Sequence, residues 1–448
     1  MASDVLGRFV SMAPFAVMTR MLARDFLGEQ MNTIFEAHRE LQYDSLASFE
    51  AVAQAVADVV LNFSDNFNQA YHKHKEKLAV TRQAFYAKTR GVDAAVSEAV
   101  VSCSAERAAE LQDALKLVPW EPLPGYSCYS VDGNSLAKTD KRLGVLHDVK
   151  GAPLPGKIVA RYDLQRQLFD RAYVLLDGHA QESTCCDRIV ADVCPRDVLI
   201  ADRHFCIVAF LERIAQATAF FVVRQHGRLK GVLVGERRQI GRIDTGVVFE
   251  QAMRLSTAED ALQVRRITVQ LDAPTRDGDT EIHVLTNLPK EVRATTIAGL
   301  YRHRWQEETA FHVLQMTLTC EHPGVGHPRA ATFLFCLSLL AFNLRQTLFA
   351  ALYATQDEQE VDNISHFHIS KNVSDNTQGM LIAINPEEWD NLIPQATTEL
   401  AKELRRIAAH IELSQYRKAT RGPKQKMPHR SRNVPSSHLS TAKLLGIT

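Results

Sequence analysis

Tyr301, Arg304, Glu308 and Gln315 recur at steps of three, four and seven residues inside the run YRHRWQEETAFHVLQ. On a helix of about 3.6 residues per turn, those steps place all four on one face. A phenol, a cation, an acid and an amide make poor core, so that face is either solvated or a site. Far upstream, Asp132 ends the apolar run CYSV and Asp202 ends DVLIA. Three carboxylates from separate elements, with an arginine beside one, form the hard-oxygen set that suits Mg²⁺. Divalent ions held in pairs promote phosphodiester chemistry by activating a nucleophile and steadying the leaving oxygen. Each residue also has an ordinary reading. A strand-end Asp commonly caps a turn, and Arg304 with Glu308 could be a routine surface ion pair one turn apart.

The elements that must position these residues follow from pattern. Residues 1–118 read as helical, with Ala-rich stretches such as SFEAVAQAVADVVLNF carrying apolar residues at three- and four-residue steps. The Pro-rich VPWEPLPG (118–125) is a boundary. Beyond it come the extended runs SCYSVD, KIVARYDLQ and RAYVLLDG, the helical stretch QESTCCDRIVADV, and the strand VLIAD. Three strands, a helix and a fourth strand, with acids ending the first and fourth, is the order of a ribonuclease H-like core. The runs FFVVRQHG, GVLVGE, RITVQL and EIHVLTN then read as a β-rich insertion, with a turn at 277–279. Helices resume near Glu291, and residues from Gly422 to Pro435 read as a loop or disordered arm.

The expected fold is therefore α/β. A helical DNA-binding or dimerisation region spans 1–118, and the ribonuclease H-like core begins at 125–216. The β insertion covers 217–288, helices at 289–352 complete the core, and a C-terminal helical region with a basic tail covers 353–448.

Composition sets outer limits. The chain has 448 residues, 46% hydrophobic and 23% charged, with zero formal net charge. Neutrality argues mildly against a nucleic-acid binder, since Lys and Arg supply phosphate contacts. Local charge argues the other way. Residues 413–448 hold eight Lys/Arg and no acid, and the runs 72–90 and 224–242 each hold six against one acid. The apolar stretch from Ala330 to Ala341 is too short to span a bilayer. The N-terminus does not read as a signal peptide, which leaves the cytoplasm as the expected location. The eight cysteines, two of them adjacent at Cys185 and Cys186, fit free thiols. Cys320, His322 and His327 lack a standard zinc spacing and a fourth ligand. No GxxxxGK[ST] loop occurs.

The residues resemble the DDE transposases of bacterial insertion sequences, specifically the insertion-sequence-4 family. That family carries a Tyr-x2-Arg-x3-Glu-x6-Lys signature on the helix bearing its third acid, and Tyr301, Arg304 and Glu308 stand in register with it. LTNLPKEVRATTIAGLYRHRW, VDG (131–133) and LIADRHF (199–205) resemble the approaches to the three acids. HPRAATFLFCLSLLAFNL, QGMLIAINPEEW, the RGPK run and HLSTAKLL resemble the C-terminal half of one subgroup, so the likeness covers roughly 125–448.

The resemblance implies Mg²⁺, or Mn²⁺ in its place, held by Asp132, Asp202 and Glu308. It implies DNA cleavage at the terminal inverted repeats followed by strand transfer. The partners implied are double-stranded DNA, as transposon ends and target, and a second copy on that DNA, with no membrane. Tyr301, Arg304, Gln315, Arg417, Lys418, Arg421, Lys424 and Lys426 are the implied DNA contacts, in a cytoplasmic, nucleoid-associated protein. One departure stands out: Gln315 replaces the signature lysine. Either a cation such as Arg329 substitutes, or the subgroup does without it, or the copy is impaired. The rival readings are an inactive end-binding protein and a ribonuclease H-like nuclease.

Overall fold

Among the described residues of the computed structural model, nine strands form one mixed sheet, in the order β3-β2-β1-β4-β5-β9-β8-β7-β6. The described residues are 4–447 apart from 41, 43–45, 139–142, 148–153, 259, 276–277, 385–388, 390–395 and 420–440. Parts of the turn at 277–279 and of the stretch after Pro386 lie outside them, as do Arg421, Lys424 and Lys426.

The strands β1 (Ser127–Ser135), β2 (Lys157–Asp163) and β3 (Leu168–Leu175) form an antiparallel meander. After α9 (Cys186–Ala191), β4 (Asp197–Ala201) returns parallel to β1. All five β4 residues are buried, as befits a parallel strand covered on both faces. Three strands, a helix and a fourth strand thus appear in the expected order.

The segment after residue 217 differs from a simple insertion. Its first strand, β5 (Phe220–Arg224), pairs in parallel with β4 and so belongs to the same sheet. The others continue that sheet in antiparallel pairing: β6 (Val232–Ile243), β7 (Gly246–Arg254), β8 (Gln263–Leu271) and β9 (Glu281–Thr286). The strand β7 was not among the expected runs, because GVVFEQAMR lacks a clean two-residue alternation.

The N-terminal region is helical: α1 (Asp4–Met12), α2 (Pro14–Phe26), α3 (Gln30–His38), α4 (Phe49–Val60), α5 (Phe67–Lys73), α6 (Lys75–Leu78), α7 (Arg82–Gly91) and α8 (Ala94–Ala114). Ser48, Asn66 and Thr81 accept hydrogen bonds from first-turn N–H groups and so fix the starts of α4, α5 and α7. The remaining helices near the sheet are α10 (Val208–Gln216), α11 (Ala294–Arg302), α12 (Arg304–Thr317) and α13 (Pro328–Tyr353).

The helix α13 is apolar around its whole circumference, which requires neighbours on every side. It packs on α2, α4, α7, α8, β3 and the helix Thr397–Ala408. Residues of the N-terminal helices, α13 and the C-terminal helices consequently share one core. At 26 residues α13 is longer than the apolar run seen in sequence, and long and apolar enough to cross a membrane. Yet 94% of its most apolar window is buried inside the molecule.

Asn343 ties this helix to the sheet. It accepts from Phe169 N at 2.9 Å and donates to Phe169 O at 2.8 Å and to Ser104 Oγ at 2.9 Å.

Candidate active site

Parallel pairing of Val131 with Ala201 leaves Asp132 and Asp202 one residue further on, side by side; Asp202 lies just past the end of β4, but Asp132 does not end its strand as the sequence suggested, because β1 stays paired with β2 through Ser135. Side-chain alternation puts both on the face that carries Ile200 and packs against α12. Asp132 accepts from Gly133 N at 2.9 Å. Asp202 caps the 3₁₀ turn Arg203–Phe205 by accepting from His204 N at 2.6 Å, which is the capping role considered for it.

The third acid arrives from α12. Arg304 lies between two carboxylates, with one guanidinium nitrogen 3.4 Å from Asp132 Oδ2 and the other 2.6 Å from Glu308 Oε1. Seven residues beyond Glu308, Gln315 donates to Asn134 Oδ1 of β1 at 3.3 Å. Tyr301 is mostly buried beside Arg304; burial pushes its phenol up, and the Arg304 charge pulls it back down. The four residues do not lie on one helix, however. The chain turns at His303, which ends α11 and opens α12 with three-residue hydrogen bonds: His303 N to Leu300 O, and Gln306 N to His303 O. Tyr301 is on the first helix and the other three on the second. His303 keeps helical dihedral angles, so sequence periodicity runs through the break unchanged.

The electrostatics are unbalanced. Burial pushes the Asp132 carboxyl up to about 6; Arg304 opposes the shift, and Glu182 and Asp202 add to it. Glu307, beside Glu308 in sequence, is fully buried against Ser130 and the Asp132 backbone, which favour its charged form, though neither oxygen makes a hydrogen bond of regular geometry. Burial, with the Asp132 charge next, holds its carboxyl well above the usual range. Ser130 Oγ on β1, buried beside Glu307, likewise makes no hydrogen bond of regular geometry. Asp132, Glu307 and Glu308 share Arg304 as a nearby cation, while Glu182 lies nearest Lys157.

The all-oxygen donor set of Asp132, Asp202 and Glu308 fits a hard divalent ion. Among the described residues, no three acidic, His or Cys side chains converge on one point as they stand. Arg304 holds Glu308 back, and that side chain, half exposed, is free to turn.

The other expected contacts fall elsewhere. Arg417 makes a two-pronged pair with Glu360 at 2.9 and 2.8 Å, and Lys418 donates to Asp362 O at 2.5 Å. Lys418 also lines a cavity of about 420 Å³ on α12, with Trp305, Thr309 and His366; none of the three acids lines it. Arg329, the substitute cation considered for the signature lysine, is bound 2.6 Å from buried Asp93, so it does not fill that place.

Sequence reasoning missed Glu307 and the exposed Trp305. A fully buried glutamate next to the expected acid leaves no mark in spacing.

Residues 154–344 match the family model described as "Transposase DDE domain". Asp202 and Glu308 lie inside that stretch and Asp132 precedes it. A curated relative, "Putative transposase y4zB" of Sinorhizobium fredii (strain NBRC 101917 / NGR234), is 36% identical over 124 residues, which are 27% of this chain. The chain spans about a third of that relative's length. Among solved structures, one chain of "Cryo-EM structure of piggyBac transposase synaptic complex with hairpin DNA (SNHP)" overlays with a TM-score of 0.42 at 9% identity. The overlay covers 87% of this chain and 85% of that one.

Proposed function

We propose that this protein is a DDE transposase of the insertion-sequence-4 type, which cuts DNA at the ends of its own element and joins the exposed 3′ ends to a target. One observation carries the reading. Asp132 on β1 and Asp202 just past β4 stand side by side on parallel strands, and α12 brings Arg304 onto Asp132 with Glu308 paired to that arginine, in a chain whose residues 154–344 match a transposase domain. The strand order β3-β2-β1-β4-β5, with β1 antiparallel to β2 and parallel to β4, supports a ribonuclease H-like core.

Asp132, Asp202 and Glu308 would hold Mg²⁺, or Mn²⁺ in its place. When bound, the ions would supply Lewis-acid activation of the attacking oxygen and charge stabilisation at the leaving one. The chain's own groups do the rest. Asp132 on its strand and Asp202, held by the bond from His204 N, would fix the line of attack. Arg304 presents a fixed guanidinium fork to a phosphate once Glu308 turns away. Tyr301 buttresses Arg304, and Gln315 offers an uncharged donor where a lysine would offer a charge. The basic runs, Arg417 and Lys418 among them, together with Arg421, Lys424 and Lys426, would bind the backbone of transposon-end and target duplexes. Bringing two ends together implies a homodimer on DNA, acting in the cytoplasm at the nucleoid.

The test is Mg²⁺-dependent cleavage of a labelled duplex bearing the element's own end, wild type beside Glu308→Ala. Cutting at the end by wild type alone is expected, followed by joining of a precut 3′-OH end to a plasmid. Binding without cutting by either protein would replace this reading with an inactive end-binding protein. Cutting without joining would replace it with a nuclease.

A further inference from the structure

A cation withdrawn from water normally lies against an acid, as Arg161 does: it is 4% exposed and 2.6 Å from Asp170. Arg345 on α13 differs. It is 8% exposed, and among the described residues no acid acts on its charge. One terminal nitrogen donates to Thr317 Oγ1 at 2.7 Å and the other to His366 O at 2.5 Å, while Nε, also buried, has no partner. Both acceptors are neutral. Burial pulls the group down from 12.5 to about 9, but a guanidinium keeps its proton in proteins. A full positive charge therefore sits in the interior.

Neighbouring backbone dipoles do not offset it. Thr317 closes α12, whose carbonyl end favours a cation, and His366 opens the helix His366–Ala383, whose amide end disfavours one. The two effects oppose each other. The His366 ring adds no negative charge either, since burial, Arg345 and Lys418 push its imidazole down to about 3. The nearby Ser370 hydroxyl is already committed, donating to Thr317 O at 2.6 Å.

Beside Arg345 lies a cavity of about 30 Å³, reached by Thr19 of α2 and Ser370 and walled mainly by Leu61, Leu318, Leu344 and Leu348. It has room for a particle the size of a water molecule or a little larger, and none for a nucleotide. A water needs two to four polar partners, which these walls scarcely provide. Apolar walls also lower the local dielectric and so strengthen the pull of the guanidinium on an opposite charge.

We infer that this cavity binds a small monovalent anion, chloride, which neutralises Arg345. The site stands apart from the carboxylate cluster and does not depend on what that cluster does. Arg345 belongs to α13 and bonds the end of α12 and the start of the helix His366–Ala383, so the anion fixes the join of three helices, one of which carries Arg304 and Glu308. The alternative is that the two hydrogen bonds suffice and the charge stays uncompensated.

The test is urea unfolding of the full chain at one ionic strength, with sodium gluconate replaced stepwise by sodium chloride. Wild type should gain about tenfold in its folded-to-unfolded ratio for each tenfold rise in chloride above the dissociation constant. Arg345→Met should lose that dependence, and Lys402→Met, on the exposed face of the helix Thr397–Ala408, should keep it. Bromide soaked into wild-type crystals should appear beside Arg345 by its anomalous scattering. A wild-type ratio that is the same in gluconate and chloride overturns the inference, as does a chloride dependence that survives Arg345→Met. Bromide bound elsewhere with none beside Arg345 overturns it too, a result that holds even if Arg345→Met does not fold.

Discussion

Replacing Arg304 with Gln should make the protein bind divalent cations more tightly while it cuts DNA more slowly. Arg304 is mostly buried and lies 3.4 Å from Asp132 and 2.6 Å from Glu308. A cation entering the site must displace the guanidinium from both carboxylates and tolerate its charge. Coulomb energy for a pair near 4 Å is about 4 kcal/mol at an effective dielectric of 20. Glu308 is half exposed, so its share is screened to under about 1 kcal/mol. The Asp132 pair is better shielded but longer. The net release is about 1–2 kcal/mol, which is roughly 5–30-fold in affinity.

Mn²⁺ titration followed by the free-ion resonance signal measures this directly, at low ionic strength and without DNA. Arg304→Lys should fall between the two, since one ammonium cannot span both acids. Single-turnover cleavage should drop for Arg304→Gln at saturating Mg²⁺, because the phosphate loses its guanidinium. Opposite signs in the two assays are the diagnostic result. Mn²⁺ affinity equal to or below wild type would refute the idea that Arg304 holds the carboxylates in reserve.

Three further outcomes are expected. Burial pushes Asp163 up to about 6 from 3.8, against the opposing N–H bonds from Arg166 and Gln165. A raised folded-state value means stability that is full below about pH 4 and lost as pH rises through 6, by up to about 3 kcal/mol. Asp163→Asn should therefore gain stability over wild type in urea unfolding at pH 8 and gain none at pH 4; an equal effect at both would be contrary. Asn343→Ala removes three hydrogen bonds and leaves both peptide groups of Phe169 unpaired. It should cost about 3–5 kcal/mol, and a loss under about 1 kcal/mol would show that water or repacking replaces the amide. Gln315→Lys should leave cleavage equal or raised and steepen the salt dependence of end binding by about one phosphate contact; slower cleavage would remove Gln315 from the DNA face.

Much of the framework was written locally. The strands that carry Asp132 and lead to Asp202 were legible because short buried runs leave a plain mark, though β1 runs on past Asp132 to Ser135, and the helical N-terminal region was legible from periodicity. The break at His303 was not, since the backbone there stays helical and only the hydrogen-bond partners change. Nor was the membership of β5 in the core sheet, because whether a strand pairs with β4 depends on what lies beside it in space.

Sequence by itself determined which strands carry or lead to the two aspartates and the spacing that aligns Arg304, Glu308 and Gln315. Those are properties of neighbours along the chain. Only the tertiary structure decided that Arg304 bridges Asp132 to Glu308, that Glu307 is buried against Ser130 and the Asp132 backbone, and that Arg345 is buried between Thr317 and His366 with no acid paired to it among the described residues. Each of these joins residues separated by tens to hundreds of positions, where burial and charge depend on packing that no local pattern encodes.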